Sequence, residues 1–130
     1  HSQLDNTTLR HEYEVAGREP VWISPKDAAD RGIMDGDVVR VFNDRGQVLA
    51  GAIVTDRMSP NVINICEGGW YDPAEPGVIG TLCKHGDVNV LTLDEGTSKL
   101  AMGNIAHTAL AQVEKYVEAA PAVTTFDPVL

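Results

Sequence analysis

The segment VVRVFNDRGQVLAGAIV, residues 38–54, constrains the fold more than any other stretch. Val38 to Phe42 is rich in β-branched residues and bounded by turn residues, which predicts a strand. NDRGQ follows as a tight connection, with Gly46 available for a positive φ. VLAGAIVTD predicts the return strand, and Gly51 inside it predicts a bend or a close backbone approach.

The flanking segments are shorter. Val21 to Ser24 is a short apolar run that ends in a cap. SPKDAADRGI then predicts a short helix, with Ser24 as N-cap, Pro25 at the first helical position and Asp27 where a carboxylate helps the cap. Gly32 is placed to end it, and MDGD makes a turn. Asn61 to Cys66 predicts a further strand beyond Pro60. IAHTALAQVEKYV fits a helix through Leu110, Val113 and Val117, and a strand through Ala109, Ala111 and Val113. Thr108, Val113, Tyr116 and Val117 favour the strand. The tail PAVTTFDPVL reads as extended or loose. Short strands, one or two short helices and closely spaced turns predict a mainly β fold, a barrel or sandwich with small helical inserts.

A chain of 130 residues predicts one domain, and 43% hydrophobic residues suffice for an ordinary core. No apolar run approaches the roughly 20 residues that cross a bilayer. The first residue is His1, with no basic and apolar leader pattern after it, so HSQLDNTTLR predicts a piece of something longer or a processed chain. Ten basic against nineteen acidic residues give a net charge of −9, which argues against nucleic acid or an anionic membrane as partner. Cys66 and Cys83 match no metal spacing and make no disulfide framework; two buried or half-buried thiols are expected.

Two segments resist a purely structural account. EGGWY opens a long stretch with five glycines and two prolines, EGGWYDPAEPGVIGTLCKHGD. Long connections of that kind often carry function. Residues 86–104, GDVNVLTLDEGTSKLAMGN, are too polar for a core strand and too apolar for a loose loop. Asn89 lies between Val88 and Val90, flanks that imply burial, and a buried amide must find partners. It either ties down its own loop or offers a donor and acceptor pair to a planar heterocycle, with small neighbours letting backbone come close.

The usual catalytic signatures are missing. His1, His11, His85 and His107 do not pair at ligand spacing, and there is no HExxH. GxSxG, Walker A and GxGxxG patterns are absent. Most carboxylates sit in turns such as MDGD and NDRG. The sequence therefore nominates no catalytic residue and no protein-made metal site.

GREPVWISPKDAADRGIMDGDVVRVFNDRGQVLAGAIV and GDVNVLTLDEGTSKLA resemble the C-terminal domain of the DMSO reductase family, and the likeness runs from HSQL to FDP. GREPVWISPKDA is most similar to its trimethylamine N-oxide reductases, while EGGWYDP and GDVNVL are equally at home in its DMSO reductases. The resemblance implies a double-psi β-barrel with short helical inserts, residues 1–130 as the C-terminal piece of a larger reductase, and a bis(molybdopterin guanine dinucleotide) molybdenum cofactor. It implies that the molybdenum ligand, a serine, lies on an earlier domain. His1 in HSQ and Asn89 in GDVN match dinucleotide-contacting positions. Ala106 and His107 stand where relatives often have Gly-Gln, and Gln3 and Glu67 are further candidates. The implied reaction is two-electron reduction of an N-oxide or S-oxide, in the periplasm, with an electron-donating cytochrome for the whole enzyme and no membrane insertion. The runner-up is a free-standing double-psi barrel that binds without redox activity. Self-processing decarboxylases of similar fold are excluded, because no Gly-Ser pair occurs.

Overall fold

Val38–Phe42 (β2) and Gln47–Val54 (β3) form the antiparallel hairpin that the sequence predicts, with Val39 opposite Ala50 and Val41 opposite Val48. The computed structural model describes residues 5–105 and 109–128. The hairpin turn is closed by Asn43, whose Oδ1 accepts from the Arg45 amide at 2.9 Å and the Gly46 amide at 3.3 Å. Gly46 is not at positive φ. Its lack of a side chain serves contact instead, because a Cβ there would lie 2.5 Å from the Val90 carbonyl oxygen.

β3 is the hub of the sheet. One edge pairs with β2. The other carries Leu82–Cys83 (β5) at Gln47 and Val48, and Pro20–Ile23 (β1) from Gly51 to Val54, both parallel. Gly51 fits the predicted close approach, since a Cβ would sit 2.2 Å from the Val15 carbonyl. Ile63–Ile65 (β4) adds antiparallel to β1, and Gln112–Lys115 (β6) adds antiparallel to β2. The order is β4-β1-β3-β2-β6, with β5 beside β3. Val48 to Ala52 are buried without interruption, as befits a central strand covered on both faces.

The mixed sheet curls into a half-barrel around Val21, Ile23, Val39, Val41, Val48, Ala50, Ala52 and Val113. Its edge strands face each other across a cavity of 230 Å³ lined by Ile63 and Val113. Pro25–Asp30 (α2) is capped as expected. Ser24 Oγ accepts from the Asp27 amide at 3.1 Å, and Gly32 at φ +64° ends the helix, with the Ile33 amide reaching the Ala28 carbonyl at 2.9 Å. Asp27 Oδ2 also accepts from the Asn61 amide at 2.7 Å. These bonds, that from the Ser24 hydroxyl foremost, hold the Asp27 carboxyl below its ordinary range. Arg10–Tyr13 (α1) is one turn on the outer face.

Three expectations change in detail. The C-terminal strand is confined to Gln112–Lys115, and Ala106 to Thr108 lie outside the described residues. The Asn61–Cys66 strand shortens to Ile63–Ile65. Both thiols are free and Cys83 is buried, but Cys66 is exposed because it follows the end of an edge strand.

Candidate functional site

The two segments that resisted a structural account lie against each other. A Cβ on Gly69 would be 3.1 Å from the Gly86 carbonyl oxygen. Gly86 itself sits at φ +127°, with a Cβ position 2.3 Å from Glu19 Cβ. No other residue lets the chain pass so close to β1 in that conformation. The Glu19 amide donates to the His85 carbonyl at 2.9 Å and fixes the loop there.

Past Gly86 the chain makes a single 3-10 turn, Val88–Leu91. Asp87 caps it, its Oδ1 accepting from the Asn89 amide at 3.0 Å. Burial raises the Asp87 carboxyl above its usual range, and hydrogen bonds from Asn89 oppose that shift. The Leu91 carbonyl accepts from Asn43 Nδ2 and Arg45 Nε, each at 2.8 Å. Leu91 is buried, and Val88 and Val90 pack against the core.

Asn89 is exposed, contrary to the expected burial. Two apolar residues that flank a third pull their own side chains inward and turn the middle one outward. The residue therefore stands exposed on a turn rooted in the core, with its side-chain amide bonded back to the Asp87 carboxylate, which ties down its own loop. Glu67 is also exposed, in the turn after β4, on the loop whose Gly69 meets Gly86. The structure thus brings the Asn89 and Glu67 loops together. His1, Gln3, Ala106 and His107 lie outside the described residues.

Beneath these loops is a polar knot that sequence reasoning missed. Asp5 is 1% exposed and His85 is fully buried, and His85 Nε2 lies 3.1 Å from Asp5 Oδ2. The same carboxylate oxygen accepts from the Trp70 amide at 2.9 Å. Burial, the dominant cause, holds the His85 imidazole below its ordinary pKa even with Asp5 beside it. Its Nδ1 has no hydrogen-bond partner among the described residues. A neutral ring donating through Nε2–H to Asp5 satisfies both facts, because a bare acceptor costs less than a buried unpaired N–H of a cation.

The C-terminal tail closes the knot. Phe126 meets His85 edge-on at 5.0 Å between centroids and lies 5.4 Å from Trp70. The Arg10 guanidinium sits 3.7 Å over the same ring. Lys84 Nζ donates to Thr124 Oγ1 at 2.6 Å and pairs with Asp72 at 3.3 Å, and Asp72 Oδ2 accepts from the Thr124 amide at 2.8 Å. Asp5, the pair Trp70 and Asp72, and the pair Lys84 and His85 come from three distant segments of the chain, so no spacing rule could have found them.

On the outer face of β1 is a cavity of 810 Å³ that Glu19, Trp22, Ile53 and Glu67 help to line. Glu19 is 5% exposed, and burial with the nearby Asp5 charge pushes its carboxyl up to about 7. Among the described residues no group of three or more His, Cys, Asp or Glu could hold a metal ion.

The chain is 64% identical over 127 residues to the dimethyl sulfoxide/trimethylamine N-oxide reductase of Cereibacter sphaeroides, which covers 98% of this chain and 16% of the relative. It is 62% identical over 117 residues to trimethylamine-N-oxide reductase 1 of Escherichia coli K12, 89% of this chain and 14% of the relative. The chain thus spans about a sixth of the length of these curated relatives. In fold it is similar to acetylene hydratase from Pelobacter acetylenicus, with a TM-score of 0.64 at 18% identity over 87% of this chain and 16% of that one. Residues 1–110 match the molydopterin dinucleotide binding domain, and the chain belongs to that family.

Proposed function

We propose that this chain is the cofactor-holding part of a molybdenum reductase that removes oxygen from trimethylamine N-oxide, dimethyl sulfoxide or related N- and S-oxides. The observation that carries it is the 64% identity to the Cereibacter reductase over nearly the whole chain. On this reading residues 1–130 are one domain, a double-psi β-barrel, at the C-terminal end of a longer polypeptide. Its partners are the other domains of that polypeptide, and a cytochrome feeds electrons to the whole enzyme during anaerobic respiration in the periplasm. Among the described residues no helix is long and apolar enough to cross a membrane.

The cofactor is bis(molybdopterin guanine dinucleotide) molybdenum, and the Asn89 turn fits such a group. An exposed amide on a turn whose neighbours are pinned to the core, held by its bond to Asp87, keeps a carbonyl oxygen and a second N–H for a ligand at low entropic cost. That pattern suits the edge of a pterin or guanine ring. His1, Gln3, Ala106 and His107 complete the proposed site, with the Glu67 carboxylate as an acceptor for ring N–H groups. When bound, the cofactor supplies the two-electron oxygen-atom transfer. The chain's own residues bind and orient it; none is assigned a catalytic or metal-ligating role.

Asn89→Ala in the full-length enzyme removes that donor and acceptor pair. Molybdenum retained through purification is expected to fall roughly tenfold, the equivalent of one or two lost hydrogen bonds. Unchanged molybdenum content and activity would count against the assignment.

A further inference from the structure

Residues 121–127 form no strand or helix, and the dinucleotide reading gives them no role. Among the described residues their one backbone–backbone bond is internal, from the Asp127 amide to the Thr124 carbonyl at 3.0 Å. The sheet does not hold this segment; side chains do. A stretch held that way, and partly exposed along its length, opens at lower cost than the strands beside it.

The contacts that hold it fall on the two segments that frame the Asn89 turn. On the Trp70 side, Phe126 packs 5.4 Å from the Trp70 ring and Thr125 Oγ1 donates to the Tyr71 carbonyl at 3.2 Å. The Thr124 amide and hydroxyl both donate to the Asp72 carboxylate, at 2.8 Å and 3.0 Å. On the Gly86 side, Thr124 Oγ1 accepts from Lys84 Nζ at 2.6 Å, and Phe126 stands edge-on to His85. The Pro121 carbonyl accepts from Arg18 Nη2 at 2.5 Å, and Arg18 Nε donates to the Lys84 carbonyl at 2.9 Å. Arg18 is 6% exposed, so loss of the Pro121 carbonyl leaves a buried donor bare. Arg10 in α1 covers Phe126 from the other side.

The path from this segment to Asn89 is short. His85 precedes Gly86 directly and Asn89 by four residues. Asp5 holds its Nε2, the Glu19 amide holds its carbonyl, and Phe126 holds its ring. Lys84, one residue earlier, is held by Thr124 and, through Arg18, by Pro121.

We propose that residues 121–127 are a latch that, when seated, holds the Asn89 turn in the position that receives the dinucleotide and, when released, frees it. Phe126 and Thr124 are positioning residues that act on Asn89 through His85 and Lys84. The proposal rests on the reading of Asn89 as a cofactor contact, while the mechanical link can be measured without it.

Hydrogen exchange, followed by mass on peptides of the full-length enzyme, reads the link. Phe126→Ala is expected to speed exchange about tenfold in residues 66–74 and 84–92, and Thr124→Val several-fold in the same two segments. The β2–β3 hairpin, residues 38–54, keeps its wild-type rate. Thr124→Val preserves the side-chain shape and the backbone bond to Asp72, so it remains informative where Phe126→Ala fails to fold. Both variants are expected to lose molybdenum and guanine nucleotide several-fold faster than wild type in urea below the unfolding transition. Wild-type exchange in 84–92 overturns the latch. An equal rise in the hairpin also overturns it, because the segment is then ordinary packing. Faster exchange with unchanged cofactor release overturns the positioning role. An enzyme without pterin dinucleotide defeats the cofactor reading, while exchange in 84–92 still decides the link.

Discussion

Asp5→Ala is expected to lower the stability of the fold by about 3 kcal/mol in urea unfolding. The cost comes from what the carboxylate leaves behind. The Trp70 amide at 2.9 Å and His85 Nε2 at 3.1 Å both lose their acceptor, in a site where Asp5 is 1% exposed. Each unpaired buried donor costs about 1–3 kcal/mol. Loss of the buried carboxylate's own desolvation cost offsets part of the sum. Asp5→Asn is the informative control. It keeps an acceptor oxygen of the same shape, so about 1 kcal/mol is expected if His85 is neutral. Equal damage from Asn and Ala would mean that the charge of Asp5 matters and that His85 is an imidazolium.

Gly86→Ala should be comparably severe, for a different reason. The residue combines φ +127° with a Cβ position 2.3 Å from Glu19 Cβ and 3.2 Å from the Glu19 backbone. Backbone strain of about 1–3 kcal/mol adds to a steric cost of similar size. Relief requires the loop to move off β1, which breaks the Glu19 amide bond to the His85 carbonyl and shifts the turn that carries Asn89. Gly77→Ala supplies the comparison, because Gly77 has φ +81° and nothing within 4 Å of a Cβ. It should show the strain alone, about 1 kcal/mol. Urea midpoints that coincide for the two variants would mean that the close approach to Glu19 carries no weight.

What the sequence revealed follows the range of the interactions involved. The β2–β3 hairpin and the capped helix α2 depend on neighbours a few residues apart, and both were legible. The close approach at Gly51 was legible too, since a glycine inside a β-branched strand has few other uses. Gly46 was read for its φ when it serves contact with Val90, a residue beyond any local window. Asn89 was given the wrong face: its apolar neighbours were taken to bury it, when their own burial is what turns it out. The Asp5–His85 pair and the Lys84–Asp72–Thr124 cluster join distant segments, and no pattern along the chain announces them. The cofactor was legible only through resemblance, because a loop that is small, polar and well anchored has no residue chemistry that names its ligand.

The central claim is that this fold holds a molybdopterin guanine dinucleotide within a larger reductase. The most direct measurement is on the native protein, purified from source cells with an antibody to this chain, sized, and assayed for molybdenum and released guanine nucleotide. The account predicts a polypeptide several-fold larger than 14.0 kDa that carries both, in the ratio of the bis(dinucleotide) cofactor. A native polypeptide near 14.0 kDa with neither would contradict it and leave a free-standing binding module.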